Sequence, residues 1–185
     1  MLKRFFKKLM NYARFLIFGV RIFTRKKARE ISKIAKKGCK ILEIGSGGKN
    51  EKGKYYFSSK DYFKDSDVDF IMSDVDPNFG HKILDIVQFN EENIYDHILC
   101  FNVLEHIYDW EKGFLNMYRA LRENGCLHII VPVFYPIHYS PNDYFRFTSQ
   151  AFEEFCRRNN MKIDSIERRG FETYPFAYYL RIKKQ

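Results

Sequence analysis

The stretch Lys40 to Asn50, KILEIGSGGKN, runs a short apolar segment into three glycines within four residues. Lys40–Ile44 reads as a buried strand, and Gly45-Ser46-Gly47-Gly48 as the loop that leaves it. Glycines there let the backbone take positive φ and come close to a ligand. Glu43, two residues before Gly45, is placed to fix the loop or to meet a cationic group. A second strand, Val68–Ser73, ends in SDVDP and sets Asp74 at a strand terminus about thirty residues on. An acid there is the usual device for holding the two hydroxyls of a ribose. The dinucleotide fingerprint is not met, because its third glycine would fall at Asn50 and no helix starts at once. A phosphate-cradling Walker loop is absent as well, since no Gly-Lys-Ser/Thr follows.

Working outward, residues 49–66 are rich in Lys, Ser and Asp and read as a loop or insertion. Further strands are expected at His81–Ile86, Tyr95–Phe101 and Cys126–Val133, with a closing pair at Met161–Arg168 and Phe176–Lys183. Trp110–Arg122 carries Phe114, Leu115, Tyr118 and Leu121 at helical spacing, and Ser149–Asn159 carries Phe152, Phe155 and Cys156 on one side. Strands alternating with helices predict an α/β domain with a mostly parallel sheet. Ligands of such sheets bind at the carboxyl ends of the strands, near the point where strand order reverses.

ILEIGSGG, SDVDP, YDHILCFNVLEHI, YRALRENGCLHIIVP and YSPNDYFRFT occur here in that order. On these segments, residues 40 to about 158, the chain resembles class I S-adenosylmethionine-dependent methyltransferases. It is most similar to their small-molecule branch, type 11, and its last block to a subset found beside cell-envelope polysaccharide genes. The resemblance implies a Rossmann-like, doubly wound sheet of seven strands and transfer of a methyl group from S-adenosylmethionine (class 2.1.1). It implies that Glu43, Gly45, Ser46 and Gly47 contact the methionine part of the cofactor. Asp74 would take the ribose hydroxyls and Val75 would lie against adenine. Asp85 and Ile86 would face the adenine amino group and ring, and Asn102 the methionine carboxylate or amine. In some relatives a Glu-His pair lies by the acceptor with a further acid three residues earlier, and some of these bind a metal. Here that position is Asn102, so no metal is expected.

The net charge of +9 is unevenly placed. Residues 1–40 hold fourteen Lys or Arg and one acid, Glu30, whereas the remainder carries four more acids than bases. A basic appendage on a mildly acidic domain argues against nucleic acid as the partner. The Asn/Asp-Pro-Pro-aromatic loop of nucleic-acid methyltransferases is also missing after the fourth strand, which continues as NVLEH. The expected division is a basic helical arm over residues 1–39 and the methyltransferase domain over 40–185.

Within the arm, residues 2–23 fit an amphipathic helix. Leu2, Phe5, Phe6, Leu9, Ala13, Leu16, Ile17 and Val20 line one face, with six bases opposite. It either packs on the domain or lies on anionic lipid. No run is long enough to span a bilayer, and RIFTRKKAR stands where a signal-peptide cleavage site would be. Cys39, Cys100, Cys126 and Cys156 form no CxxC pair and read as reduced thiols of a cytoplasmic protein, not as a zinc site or disulfide frame. A peripheral position at the inner face of the membrane follows from the lipid alternative.

His138 follows the fifth strand in a loop with Asp143 and Arg146, where substrate is met. One reading makes His138 a general base and Arg146 an anchor for an acidic or phosphate group. The other pairs Asp143 with Arg146 as a structural knot. His106, just past the fourth strand, is either catalytic or a brace for the cofactor loop. His81, His97 and His128 are expected to lie in strands as structural residues. The functions weighed are methyl transfer to O or N of a small molecule or glycan intermediate, a catalytically silent binding protein of the same fold, and nucleic-acid methylation.

Overall fold

The computed structural model describes residues 19–55 and 57–185. A helix over residues 19–34, α1, precedes β1 (Lys40–Ile44), β2 (Asp69–Asp74) and β3 (Lys82–Ile83). Then follow β4 (Tyr95–Phe101), α2 (Trp110–Ala120), β5 (Leu121–Pro132), α3 (Ser149–Arg158), β6 (Lys162–Gly170) and β7 (Pro175–Lys183). The seven strands form one sheet in the order β3-β2-β1-β4-β5-β7-β6. All pairings are parallel except those of β7, which runs antiparallel to both β5 and β6. Strand order reverses between β1 and β4, so the glycine loop lies at the switch point.

Alternation along the strands gives the sheet two apolar faces. Leu42, Ile44, Ile98, Cys100, Ile129 and Val131 meet α2 and α3. That layer is knit by rings: Trp110 and Phe114 of α2 lie 4.9 and 5.0 Å from Phe155 of α3, and Phe147 lies 5.1 Å from Trp110. On the other face Ile41, Leu99, Ile130 and Tyr179 meet Val20, Phe23 and Ile31 of α1. Lys27 of α1 is buried with its ammonium 2.6 Å from Glu30 and 2.6 Å from Glu167 of β6. Residues 19–34 are therefore part of the core, and the expected division after residue 39 runs through packed structure. Residues 1–18, which carry most of the expected amphipathic helix, lie outside the described residues; Val20, assigned to its apolar face, is buried against the sheet. Among the described residues no helix is long and apolar enough to cross a membrane.

Several expected boundaries shift for local reasons. The third strand shrinks to Lys82–Ile83, which pair with Ser73 and Asp74 at the end of β2. His81 stands before it, not in it. Helix α2 stops at Ala120, and the chain turns directly into β5, which begins at Leu121 rather than Cys126. The buried face of α2 is Phe114, Met117 and Ala120, so Leu115 and Tyr118 lie only at its margin. Asn116 is buried on the same helix because its amide donates to the carbonyls of Ile86 and Val87, tying α2 to the segment after β3. Helix α3 begins where expected, with the Thr148 hydroxyl accepting from the Ala151 amide. Among the described residues between β1 and β2 there is no α-helix: a short 3-10 turn, Lys60–Phe63, packs Phe63 against Phe70.

Candidate active site

The glycine loop leaves β1 with Gly45 at φ +72° and Gly47 at φ +62°. A Cβ on Gly45 would stand 2.6 Å from a methyl of Val103, the residue that follows Asn102 after β4. Both the backbone angle and the close approach require glycine there. The Gly47 amide donates to Asp74 Oδ2 at 2.9 Å and the Ser46 amide to the Ser73 carbonyl at 3.0 Å, so the loop is drawn across the end of β2. From the far side the His81 ring meets the Gly47 carbonyl at 2.9 Å.

Glu43 fixes this loop to the insertion. It is buried, and its carboxylate accepts from the Ser46 and Ser58 hydroxyls and from the Ser59 amide, the last at 2.6 Å. Burial still raises its pKa above the ordinary carboxylate value despite three donors. Of the two roles left open for Glu43, its contacts are those of the loop anchor. Ser58 and Ser59 carry no sequence signal of this task, since they sit in a polar stretch with no periodicity.

The remaining candidates surround the same strand ends. Val75 is exposed just past Asp74. The Asp85 carboxylate accepts from the Val87 amide at 2.8 Å and shapes the turn after β3. The Ile86 side chain faces Gly113 of α2 in the core, so an exposed adenine would meet its backbone rather than its side chain. Asn102 takes φ +55°, an uncommon angle for a residue other than glycine. Its amide nitrogen lies 3.3 Å from the Thr24 hydroxyl of α1, while its buried Oδ1 has no hydrogen-bond partner among the described residues. That orphaned acceptor and the cradle in which a Cβ would clash fit a ligand with a cationic amine laid along the glycine loop. Beside it opens a cavity of about 500 Å³ lined by Gly48, Lys49, Tyr55, Met72, Phe79 and His81.

A second group lies past the ends of β4 and β5. The Tyr144 and Phe145 amides both donate to the Glu105 carbonyl, and the His106 ring meets the Asn142 carbonyl. These bonds clip the β5–α3 loop onto the turn after β4, bringing the His106 and His138 rings to 4.7 Å, edge to face. His138 Nδ1 is 3.3 Å from Asp143 Oδ2, and the His138 amide donates to the same oxygen at 2.9 Å. Arg146 grips Asp143 with both terminal nitrogens and adds contacts to the carbonyls of Tyr135, Pro136 and Phe145. This ion pair holds Asp143 well below the usual carboxylate range. Arg146 thus orders the loop, and its terminal nitrogens are committed to protein oxygens rather than turned to an acceptor. Burial lowers the pKa of His106, whose side chain is almost covered, while that of His138 is about one third exposed.

Glu105 is the residue the sequence left without a role. It is fully buried, neither carboxylate oxygen has a hydrogen-bond partner among the described residues, and burial pushes its pKa up to about 8. The nearest ring nitrogen, His106 Nε2, is 3.9 Å away, too far for a hydrogen bond. Ligand atoms of Glu105, His106 and His138 fall within 4.8 Å of one another even though Asn102 replaces the further acid. A carboxyl with a raised folded pKa is protonated in the folded state while the unfolded chain ionises, so stability present at low pH is lost as pH rises towards about 8. Denaturant midpoints of the wild type are therefore expected to fall from pH 5 to pH 8 by a few kcal/mol equivalent. In Glu105→Gln this component of the slope should vanish.

The comparisons agree with this geometry. The family model Methyltransf_23, described as a methyltransferase domain, matches residues 19–172. No curated protein matches the sequence. Solved structures share the fold at low identity. Burkholderia thailandensis 1,6-didemethyltoxoflavin-N1-methyltransferase, bound to 1,6-didemethyltoxoflavin and S-adenosylhomocysteine, has 15% identity and TM-score 0.62 over 95% of this chain and 86% of its own. A TehB-like S-adenosylmethionine-dependent methyltransferase from Corynebacterium glutamicum has 20% identity and TM-score 0.63 over 85% and 86%. Haemonchus contortus phosphoethanolamine N-methyltransferase 2, bound to S-adenosylmethionine, has 15% identity and TM-score 0.62 over 82% and 50%. The family model spans α1 through the start of the β6–β7 turn, and the chain belongs to the S-adenosylmethionine-dependent methyltransferase family of the class I fold.

Proposed function

We propose that the protein transfers a methyl group from S-adenosylmethionine to oxygen or nitrogen of a small-molecule or glycan acceptor, with His138 as general base. The observation that carries this is the Asp143–His138 pair at the carboxyl edge of the sheet, beside the glycine loop. Gly45, Ser46, Gly47, Asp74 and Asn102 would hold the cofactor, with Val75, Asp85 and Ile86 about the adenine. The cofactor supplies a methyl group already activated on a sulfonium. With Nδ1–H directed at the Pro136 carbonyl, 3.3 Å away, the remaining lone pair of His138 lies on Nε2, the atom that can take an acceptor proton. Asp143 holds the His138 backbone amide and, 3.3 Å from Nδ1, stabilises the charge the ring then carries, and Arg146 holds Asp143. Orientation of the acceptor by the two clipped loops is the larger part of what such a site contributes.

Tyr108, Ile137, Tyr139 and Tyr144 are exposed around this edge, as are Phe171 and Tyr174 of the β6–β7 turn. An apolar rim of this kind suits an acceptor with a lipid or aromatic portion better than a small ion. It favours, within the type 11 reading, a lipid-linked envelope intermediate. The fourteen bases of residues 1–40 favour a cytoplasmic enzyme peripheral to the anionic inner face of the membrane. The test is transfer of labelled methyl from S-adenosylmethionine to a lipid-linked sugar or an envelope extract. Label retained in the donor with every such acceptor would overturn the proposal.

A further inference from the structure

On the face of the sheet that α1 packs against, away from the cofactor loop, β4 and β5 bring together three metal-ligating side chains. His97 of β4 lies opposite Cys126 of β5 in the parallel register, and His128 follows two residues along β5. His97 is four residues before the end of β4, about 13 Å from the cofactor loop at the strand rise. His97 Nδ1 and His128 Nε2 are 3.0 Å apart, and a ligand atom from each of His97, Cys126 and His128 falls within 4.8 Å of the others. The far nitrogen of His128, Nδ1, is 2.8 Å from the Tyr179 hydroxyl of β7.

We propose that His97, Cys126 and His128 bind one divalent ion of the zinc class, with a fourth position open to solvent. One sulfur and two imidazoles form a soft-to-borderline donor set, which favours zinc or its neighbours over magnesium and calcium, whose ligands are oxygens. Two nitrogens on one tetrahedral zinc stand about 3.3 Å apart for bonds of about 2.05 Å, so the ring atoms need open by only a few tenths of an ångström. The Tyr179 hydroxyl can accept from Nδ1–H of His128, which leaves the lone pair of that ring on Nε2, facing the site. Such an outer partner commonly fixes the tautomer of a ligating histidine. His128 is fully buried, whereas His97 and Cys126 are partly exposed and give the ion a way in. On binding, the sulfur–metal bond replaces the thiol S–H bond and that proton leaves to the buffer, while His97 exchanges the hydrogen it shares with His128 for the Nε2–H tautomer, so that both facing nitrogens offer lone pairs to the ion. The ion would staple β4 to β5 without touching the methyl-transfer site.

The site is tested by titrating chelator-treated, full-length protein with cobalt(II) and then displacing the cobalt with zinc. One equivalent of cobalt should enter, giving a sulfur-to-cobalt charge-transfer band and the intense visible bands of a four-coordinate ion. Cys126→Ser should remove the charge-transfer band, and His97→Ala should weaken uptake at least tenfold. Tyr179→Phe, which keeps the ring and removes the hydroxyl, should weaken it about tenfold. The absence of stoichiometric uptake would overturn the proposal, as would a sulfur band that survives Cys126→Ser. Uptake lost in His106→Ala or His138→Ala but kept in His97→Ala would place the ion at Glu105 instead, and would overturn it too.

Discussion

Gly45→Val is expected to abolish binding of S-adenosylmethionine in calorimetry, a loss beyond 100-fold, or about 2.7 kcal/mol. Two costs coincide at this residue. A β-branched side chain at φ +72° is strained by about 1–3 kcal/mol. Its Cβ would also start 2.6 Å from the Val103 side chain, so either the loop or the segment after β4 must move. Either displacement reaches Asn102 or the Gly47–Asp74 contact, and with it the cradle. A melting curve run alongside separates the two origins: strain alone leaves a folded protein with a lower midpoint. Folded Gly45→Val protein with wild-type affinity would refute the assignment of this loop to the cofactor.

His138→Ala should lower turnover about 10²–10⁴-fold while leaving cofactor affinity unchanged. His138 stands on the β5–α3 loop, whereas the cofactor residues stand on the β1, β2, β3 and β4 ends, so the two functions are separable by position. Asp143→Asn should reproduce part of the loss, since it removes the negative charge 3.3 Å from His138 Nδ1. Turnover and cofactor affinity both surviving in His138→Ala would move the chemistry to His106, whose ring is more enclosed and bonded to the Asn142 carbonyl.

What could be read in advance follows from how local each cause is. Tyr95–Phe101 falls where its continuous apolar run puts it, because a central parallel strand is covered on both faces. The glycine loop and Asp74 are legible since positive φ and a strand-terminal acid are properties of single positions. The burial of Asn116 beside the apolar face of α2 is not legible, because its partners are carbonyls of residues 86 and 87, which no helical periodicity reveals. Likewise Glu43 finds its partners fifteen and sixteen residues away, inside a stretch that reads only as polar. The cysteines look unremarkable by spacing for the same reason. Cys126 is twenty-nine residues from His97 in the chain and directly across from it in the sheet, and ligands drawn from neighbouring strands leave no motif.

The insertion of β7 between β5 and β6 also governs the order in which the chain can close. Ala177 and Tyr179, on the last strand, complete the layer in which Val20, Phe23 and Ile31 are buried. Contacts spanning some 150 residues carry a high loop-closure cost and slow the search. During synthesis α1 therefore leaves the ribosome with an apolar face that Ile41, Leu99 and Ile130 cover only in part until β7 follows. That exposed interval, rather than the strength of the finished core, is where a chaperone has the most to contribute.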